Sequence, residues 1–218
     1  MELLTVVAIL ILLAAVGLPA IVRMRDNGLK AADLSNLRQI AAAVPLYVGE
    51  NNGYYPTMHS GTGGPNGWKE PYWTDQITPY LARSDSKPGG RASVFYSPKF
   101  RDNHNIGGYG ANSFVINLHN TDPTTGKPRA ISAARIDQPS KRLLAANSCI
   151  PIPGKPGELR AVFYMNALTD PEHPTQPRPH PMHPGGTFAA VFCDGHAEAV
   201  PYDFYKENKE LLVGPKPF

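Results

Sequence analysis

The run from Leu3 to Val22 is twenty residues without a charge, and it constrains this chain more than any other feature. As a helix rising about 1.5 Å per residue it spans roughly 30 Å, the thickness of a bilayer's hydrocarbon core. The next stretch, RMRDNGLKAADLSNLRQIAAAVPLYVGENNG, keeps helix formers, and Leu34, Leu37, Ala41, Val44 and Val48 recur at steps of three and four. One rod is expected over residues 1–53, apolar all round in its first half and amphipathic in its second. It should stop at NNGYYP, where Asn-Gly and a proline oppose continuation. A cleaved secretory signal is disfavoured, because such signals carry a basic leading region and an apolar stretch of only about 7 to 15 residues.

A plain anchor needs neither the carboxylate of Glu2 nor Pro19. Proline removes a backbone donor and clashes with the preceding turn, so with Gly17 beside it the helix should bend or locally melt at Pro19, and Pro45 repeats the fault. A carboxylate in hydrocarbon costs on the order of 2.5 to 3.5 kcal/mol and needs a partner. A membrane interface with a favourable helix dipole is the alternative setting for Glu2.

Residues 54–218 read as one α+β domain. Twenty glycines and 23 prolines in the whole chain call for many turns and exclude a helix bundle. PYWTDQITPYL reads as a short helix or turn. ASVFYSP, YGANSFVINLH, RLLAANSC, AVFYMN and GTFAAVFCDGHAEAV read as strands bounded by turn residues. An antiparallel sheet follows, with the Leu34–Val44 stripe packed on one side of it. A net charge of +3 without a dense basic, aromatic stripe gives no support to nucleic-acid binding. Cys149 and Cys193 are read either as one disulfide or as two buried apolar side chains.

Glu2, the apolar run, Pro19 seventeen residues beyond Glu2, and LSNLRQIAAAVPLYVGENNGYYP together resemble the N-terminal helix of type IV pilins and type II secretion pseudopilins. Glu2 matches that family's glutamate at the fifth mature position. The family's Phe-Thr-Leu-Ile lead and basic leader are absent, and Met1 stands where the fourth mature residue would be. The resemblance implies a subunit held in the inner membrane and then polymerised through its N-terminal helix into an extracellular, cell-surface filament, either a pilus or a secretion pseudopilus. It implies an assembly machinery and a prepilin peptidase as partners. Glu2 would pair with the N-terminal amine of a neighbouring copy, fixing axial register, and Pro19 would mark a stretch that loses helical bonding on assembly. Arg23, Arg25 and Lys30 conflict with this, because the positive-inside rule assigns that end to the cytoplasm.

RIDQPSKRLLAANS followed by HPMHPGGTFAAVFCDGHAEAV resembles the prepilin-type processing-associated region, in which a His precedes Asp-Gly by nine residues. Here ten residues separate His183 from Asp194, and the PGG turn can absorb the extra one. Asp194-Gly195 is expected to form a type I′ turn. His180, His183, Asp194 and His196 could alternatively gather as a divalent-metal site; otherwise no cofactor is implied. DPEHPTQPRPHPMHP should be an exposed polyproline-like loop. No Ser-His-Asp signature, phosphate loop, HExxH or CxxC is present, so a structural subunit is the leading expectation. A membrane-anchored metal-binding or enzymatic domain and a minor pilin-like adhesin are the alternatives.

Overall fold

A computed structural model describes residues 2–61, 69–81, 92–100, 107–117, 122, 124, 129–155, 157–166 and 176–214, without the side chains of residues 2–5, 8, 14, 16, 60, 61 and 69. The chain is an α+β fold built on one long helix, α1 (Glu2–Glu50), and a mixed sheet.

Helix α1 runs unbroken through Pro19 and Pro45, so the local melting expected at Pro19 does not occur in the single chain. Both prolines are exposed, on sides where water can take up the carbonyl that each ring frees. The helix ends as its sequence requires. Asn52 turns left-handed at φ 55°, and the Gly53 N–H donates to the Val48 carbonyl at 2.9 Å, the closing bond of a Schellman motif. No helix built from the described residues is long and apolar enough to cross a membrane. The side chains of residues 3–5, 8, 14 and 16, within the Leu3–Val22 run, lie outside those described.

The second half of α1 docks. Leu37, Ile40, Ala41 and Val44 are buried, with Leu34 and Val48 packed at the margin, and each fully buried Leu, Ile or Val contributes roughly 1.5 to 3 kcal/mol. Beyond a two-stranded ladder, β1 (His59–Gly61) with β2 (Lys69–Tyr72), lies α2 (Trp73–Ile77). Its Trp73 is fully buried, donates Nε1–H to the Phe163 carbonyl at 2.9 Å and meets Phe95 edge-on.

The main sheet contains β3 (Tyr109–Asn112), β4 (Leu143–Pro151), β5 (Leu159–Ala161), β6 (Tyr164–Met165), β7 (Arg178–Pro179), β8 (Thr187–Phe192) and β9 (Ala197–Pro201). Its order is β6-β3-β4-β8-β9, with β5 and β7 paired to the far end of β4. The expectation of a purely antiparallel sheet is corrected by β3 and β6, which run parallel with Ala111 opposite Tyr164. The cause is the path of the chain. β5 turns back antiparallel along the end of β4 that extends beyond β3, and three residues later the same run continues as β6 along the outer edge of β3. ASVFYSP is also corrected: Ser93–Phe95 forms a 3-10 turn, and only Tyr96 bridges to Gly108.

Both faces of the sheet are covered, where the sequence suggested one. Along β8, Ala189 and Val191 enter the core shared with α1, while Phe188, Ala190 and Phe192 enter a second core, as strand alternation requires. That second core is closed by α3 (Tyr202–Glu207) and α4 (Lys209–Val213) through Tyr205, Leu212 and Val213.

Candidate functional site

One position on the buried stripe of α1 is not apolar. Asp33 precedes Leu37, Ile40 and Val44 at helical steps of four, three and four, and it is fully buried. Its carboxylate is the centre of a polar cluster assembled from four parts of the chain. His183 Nε2 lies 3.0 Å from Oδ2. Ser97 Oγ donates to the same oxygen at 3.2 Å, and the Tyr109 hydroxyl, from β3, donates to Oδ1. Asn36, one residue row along α1, donates Nδ2–H to the Tyr109 oxygen at 3.1 Å. Three donors converging on two oxygens match the acceptor capacity of an ionised carboxylate.

The His183 tautomer follows from its neighbours. Asn147 Oδ1, on β4, accepts the Ala189 N–H at 2.8 Å, so that oxygen is fixed as an acceptor, and it lies 3.2 Å from His183 Nε2. Facing two acceptors, Nε2 carries a hydrogen. The ring is aimed inward by the local chain: His183 and Thr187 form a β-bridge, and Gly185 and Gly186 between them have φ of 76° and 64°. β-carbons would strain both of these left-handed positions in the three-residue loop.

Burial pushes the Tyr109 hydroxyl well above its ordinary pKa, and the charge of Asp33 adds to the effect; Tyr109 therefore remains a donor. Ser97 and His183 both address Asp33 and do not bond to each other. A nucleophile relay needs the serine on the histidine, so this is not one, and the side chains of Asp33 and His183 have no solvent exposure. What the cluster can do is lock α1 to the sheet. Leaving one of these buried donors without its acceptor costs about 1 to 3 kcal/mol.

The other nominated residues lie elsewhere. Asp194 and His196 form an exposed pair of their own at the β8–β9 turn, Oδ1 to Nδ1 at 2.6 Å, with the His196 ring stacked on Phe192. Partial burial would raise the Asp194 carboxyl, but bonds from the His196 backbone and ring outweigh it and hold the group below its usual range. The expected type I′ turn is corrected here. Gly195 alone is left-handed, at φ 93°, and its N–H closes on the Phe192 carbonyl at 3.0 Å, the pattern of a three-residue loop with one glycine bulge.

The length of β8 separates this pair from His183, about 17 Å along an extended strand. The four metal candidates therefore do not gather, and among the described residues no group of three His, Cys, Asp or Glu could hold a metal ion. His180 is half-buried, and its pKa is lowered by burial and then by the charge of Arg178. The segment holding His180 and His183 is not the exposed loop expected of its composition. Residues 170–175 lie outside the described set, but Arg178 and Pro179 pair with β4, and Met182 and His183 are buried.

Cys149 and Cys193 are free thiols. Cys193 donates its N–H to the carbonyl of Arg142, next to the start of β4, while Cys149 sits near the end of that strand. Six residues of strand are about 20 Å, and a disulfide needs α-carbons within roughly 7 Å, so the proposed bridge cannot form. Burial drives both thiols up to about 12, against the charge of Arg178 at Cys149 and the Tyr55 hydroxyl at Cys193.

The first half of α1 has the opposite character. Val6, Val7, Ile9, Leu10, Ile11, Leu12, Leu13, Leu18, Ile21, Val22 and Met24 are all exposed, Leu12 by 67%. Elsewhere among the described residues the exposed large apolar side chains are scattered singly: Leu46, Tyr54 and Phe204. Gly17 and Pro19 lie within this exposed half, and a β-carbon at Gly17 would meet nothing within 4 Å. Glu2 is helical, and its side chain lies outside those described. Compared with known proteins, the chain matches no described family, no curated protein and no solved structure.

Proposed function

We propose that this chain is a structural subunit of an extracellular type IV pilus-like filament or pseudopilus, polymerised through α1. The observation that carries the reading is the division of one helix into an exposed apolar half and a docked half. Soluble proteins seldom expose contiguous apolar patches beyond a few hundred Å², and covering each Leu, Ile or Val of residues 6–24 is worth roughly 1.5 to 3 kcal/mol. A bundle of identical helices covers all sides of such a rod, as does a bilayer before assembly. The Asp33–His183 lock supports the same reading, since a filament subunit must hold its globular part at a fixed angle to its polymerising helix. In this account Glu2 pairs with a neighbour's N-terminal amine, and Gly17 and Pro19 supply the place where the helix yields in the polymer.

The test is assembly. Surface material sheared from cells that make the chain should contain helical filaments with this chain as the repeating unit. Glu2→Ala should remove the filaments and leave the globular part folded, as judged by near-ultraviolet circular dichroism. Normal filaments from Glu2→Ala would refute the charge pairing; absence of any filament from the unaltered chain would refute the function.

A further inference from the structure

We propose that Arg23, Arg25 and Lys30 form a cationic collar that binds the anionic headgroups of a lipid bilayer when the first half of α1 is inserted. The inference rests on the reading of that half as a membrane-held rod before assembly. The collar begins where the apolar run ends: Arg23, Arg25 and Lys30 follow Val22 by one, three and eight residues, which on a helix is roughly 1.5, 4.5 and 12 Å along the axis. The headgroup layer on each side of the hydrocarbon is roughly 5 to 8 Å deep. Both arginines therefore fall within it, and the lysine stands about 4 Å beyond its outer edge, well inside one screening length of the headgroup charges.

Their angular positions favour a surface penetrated by the rod over a single facing protein. At about 100° per residue, Arg23 and Lys30 share one side of the helix, and Arg25 projects from nearly the opposite side. Headgroups surround an inserted helix on every side, whereas one protein partner covers a single face. Arg23 and Arg25 are exposed and Lys30 is half-buried, and none of the three makes an ion pair among the described residues. Asp26 is the one acid between Arg23 and Lys30, leaving two net positive charges. At about 1 kcal/mol per basic residue near an anionic surface, two net charges correspond to roughly a thirtyfold preference for anionic over neutral lipid.

The experiment is a competition. The full chain, diluted from detergent into mixed vesicles of phosphatidylcholine alone and of phosphatidylcholine with phosphatidylglycerol, is distributed between them and quantified after density separation. A strong preference for the phosphatidylglycerol vesicles is expected, falling with added salt and abolished in the triple variant Arg23→Ser, Arg25→Ser, Lys30→Ser, with total lipid binding retained. An even distribution of the unaltered chain would overturn the proposal, as would a preference that survives the triple variant. Loss of all lipid binding by the unaltered chain would instead count against the membrane-held rod itself, and the sheared-filament experiment is independent of both results.

Discussion

The two halves of α1 share a backbone and differ in everything their side chains meet. From Asp33 to Val44 the helix has a buried stripe, a buried Asp–His hydrogen bond and a sheet to rest on. From Val6 to Met24 its described side chains are exposed, with apolar residues on all sides. Helical periodicity alone does not position a helix. The docked half is held by a few contacts of definite geometry, and the free half is apolar enough to demand cover but lacks a patterned face to say from which direction.

The largest effect expected from disturbing this contrast is at Asp33. Asp33→Ala leaves His183, Tyr109 and Ser97 without their shared acceptor; at about 1 to 3 kcal/mol for each buried donor left unsatisfied, it should lower stability by about 3 kcal/mol or more in denaturant titration of the full chain in mild detergent. A loss below about 1 kcal/mol would mean that the lock does not hold the docked half.

Tyr109→Phe removes one bond to the carboxylate and should cost roughly 1.5 to 3 kcal/mol. It also alters the response to alkali. The Tyr109 pKa is raised in the folded chain, so its contribution is complete below the unfolded value near pH 10 and is lost as pH climbs towards the folded one. Buried Tyr55 and Tyr205 are raised in the same direction. Denaturation midpoints should fall above about pH 10, and Tyr109→Phe should flatten that fall. A midpoint that stays level through this range would contradict the assignment.

A smaller stability change is expected at the exposed pair. His196→Ala breaks an Asp–His contact that is shorter than the buried one, 2.6 Å against 3.0 Å, yet it should cost no more than about 1 kcal/mol because both groups face water. An effect matching that of Asp33→Ala would show that distance, not burial, sets the energy. Smallest of all should be Leu12→Ser in the free half, within about 0.5 kcal/mol in the same titration, while filament assembly is impaired.

Much of this was legible in the sequence. The apolar run, the three-and-four spacing and Asn-Gly define α1 and its end, and the short apolar runs of LLAANSC and TFAAVFC between turn residues give β4 and β8. The lock was half-legible. His183 stands out by its spacing from Asp194, but its partner is Asp33, 150 residues earlier in the chain. Asp33 could have been found as an acid in phase with Leu37, Ile40 and Val44 and one turn before the first of them; an aspartate in a helical stretch is ordinarily read as solvent-facing.

The proline-rich stretch misled for a related reason. Composition predicts exposure, but β4 extends beyond β3 and β8 and offers unpaired backbone, and Arg178–Pro179 takes it up. The second covered face of the sheet was also hidden, because Tyr205, Leu212 and Val213 are too few and too widely spaced to announce α3 and α4 as a lid.

The most direct test of the central claim is to ask what touches the free half. A photoreactive side chain at Ile11 in surface-sheared material, followed by irradiation and separation by size, should give a ladder of covalent multimers of this chain, joined through residues 6–24 of adjacent copies. Adducts with lipid alone, and no multimers from any fraction, would contradict a rod that is buried among copies of itself.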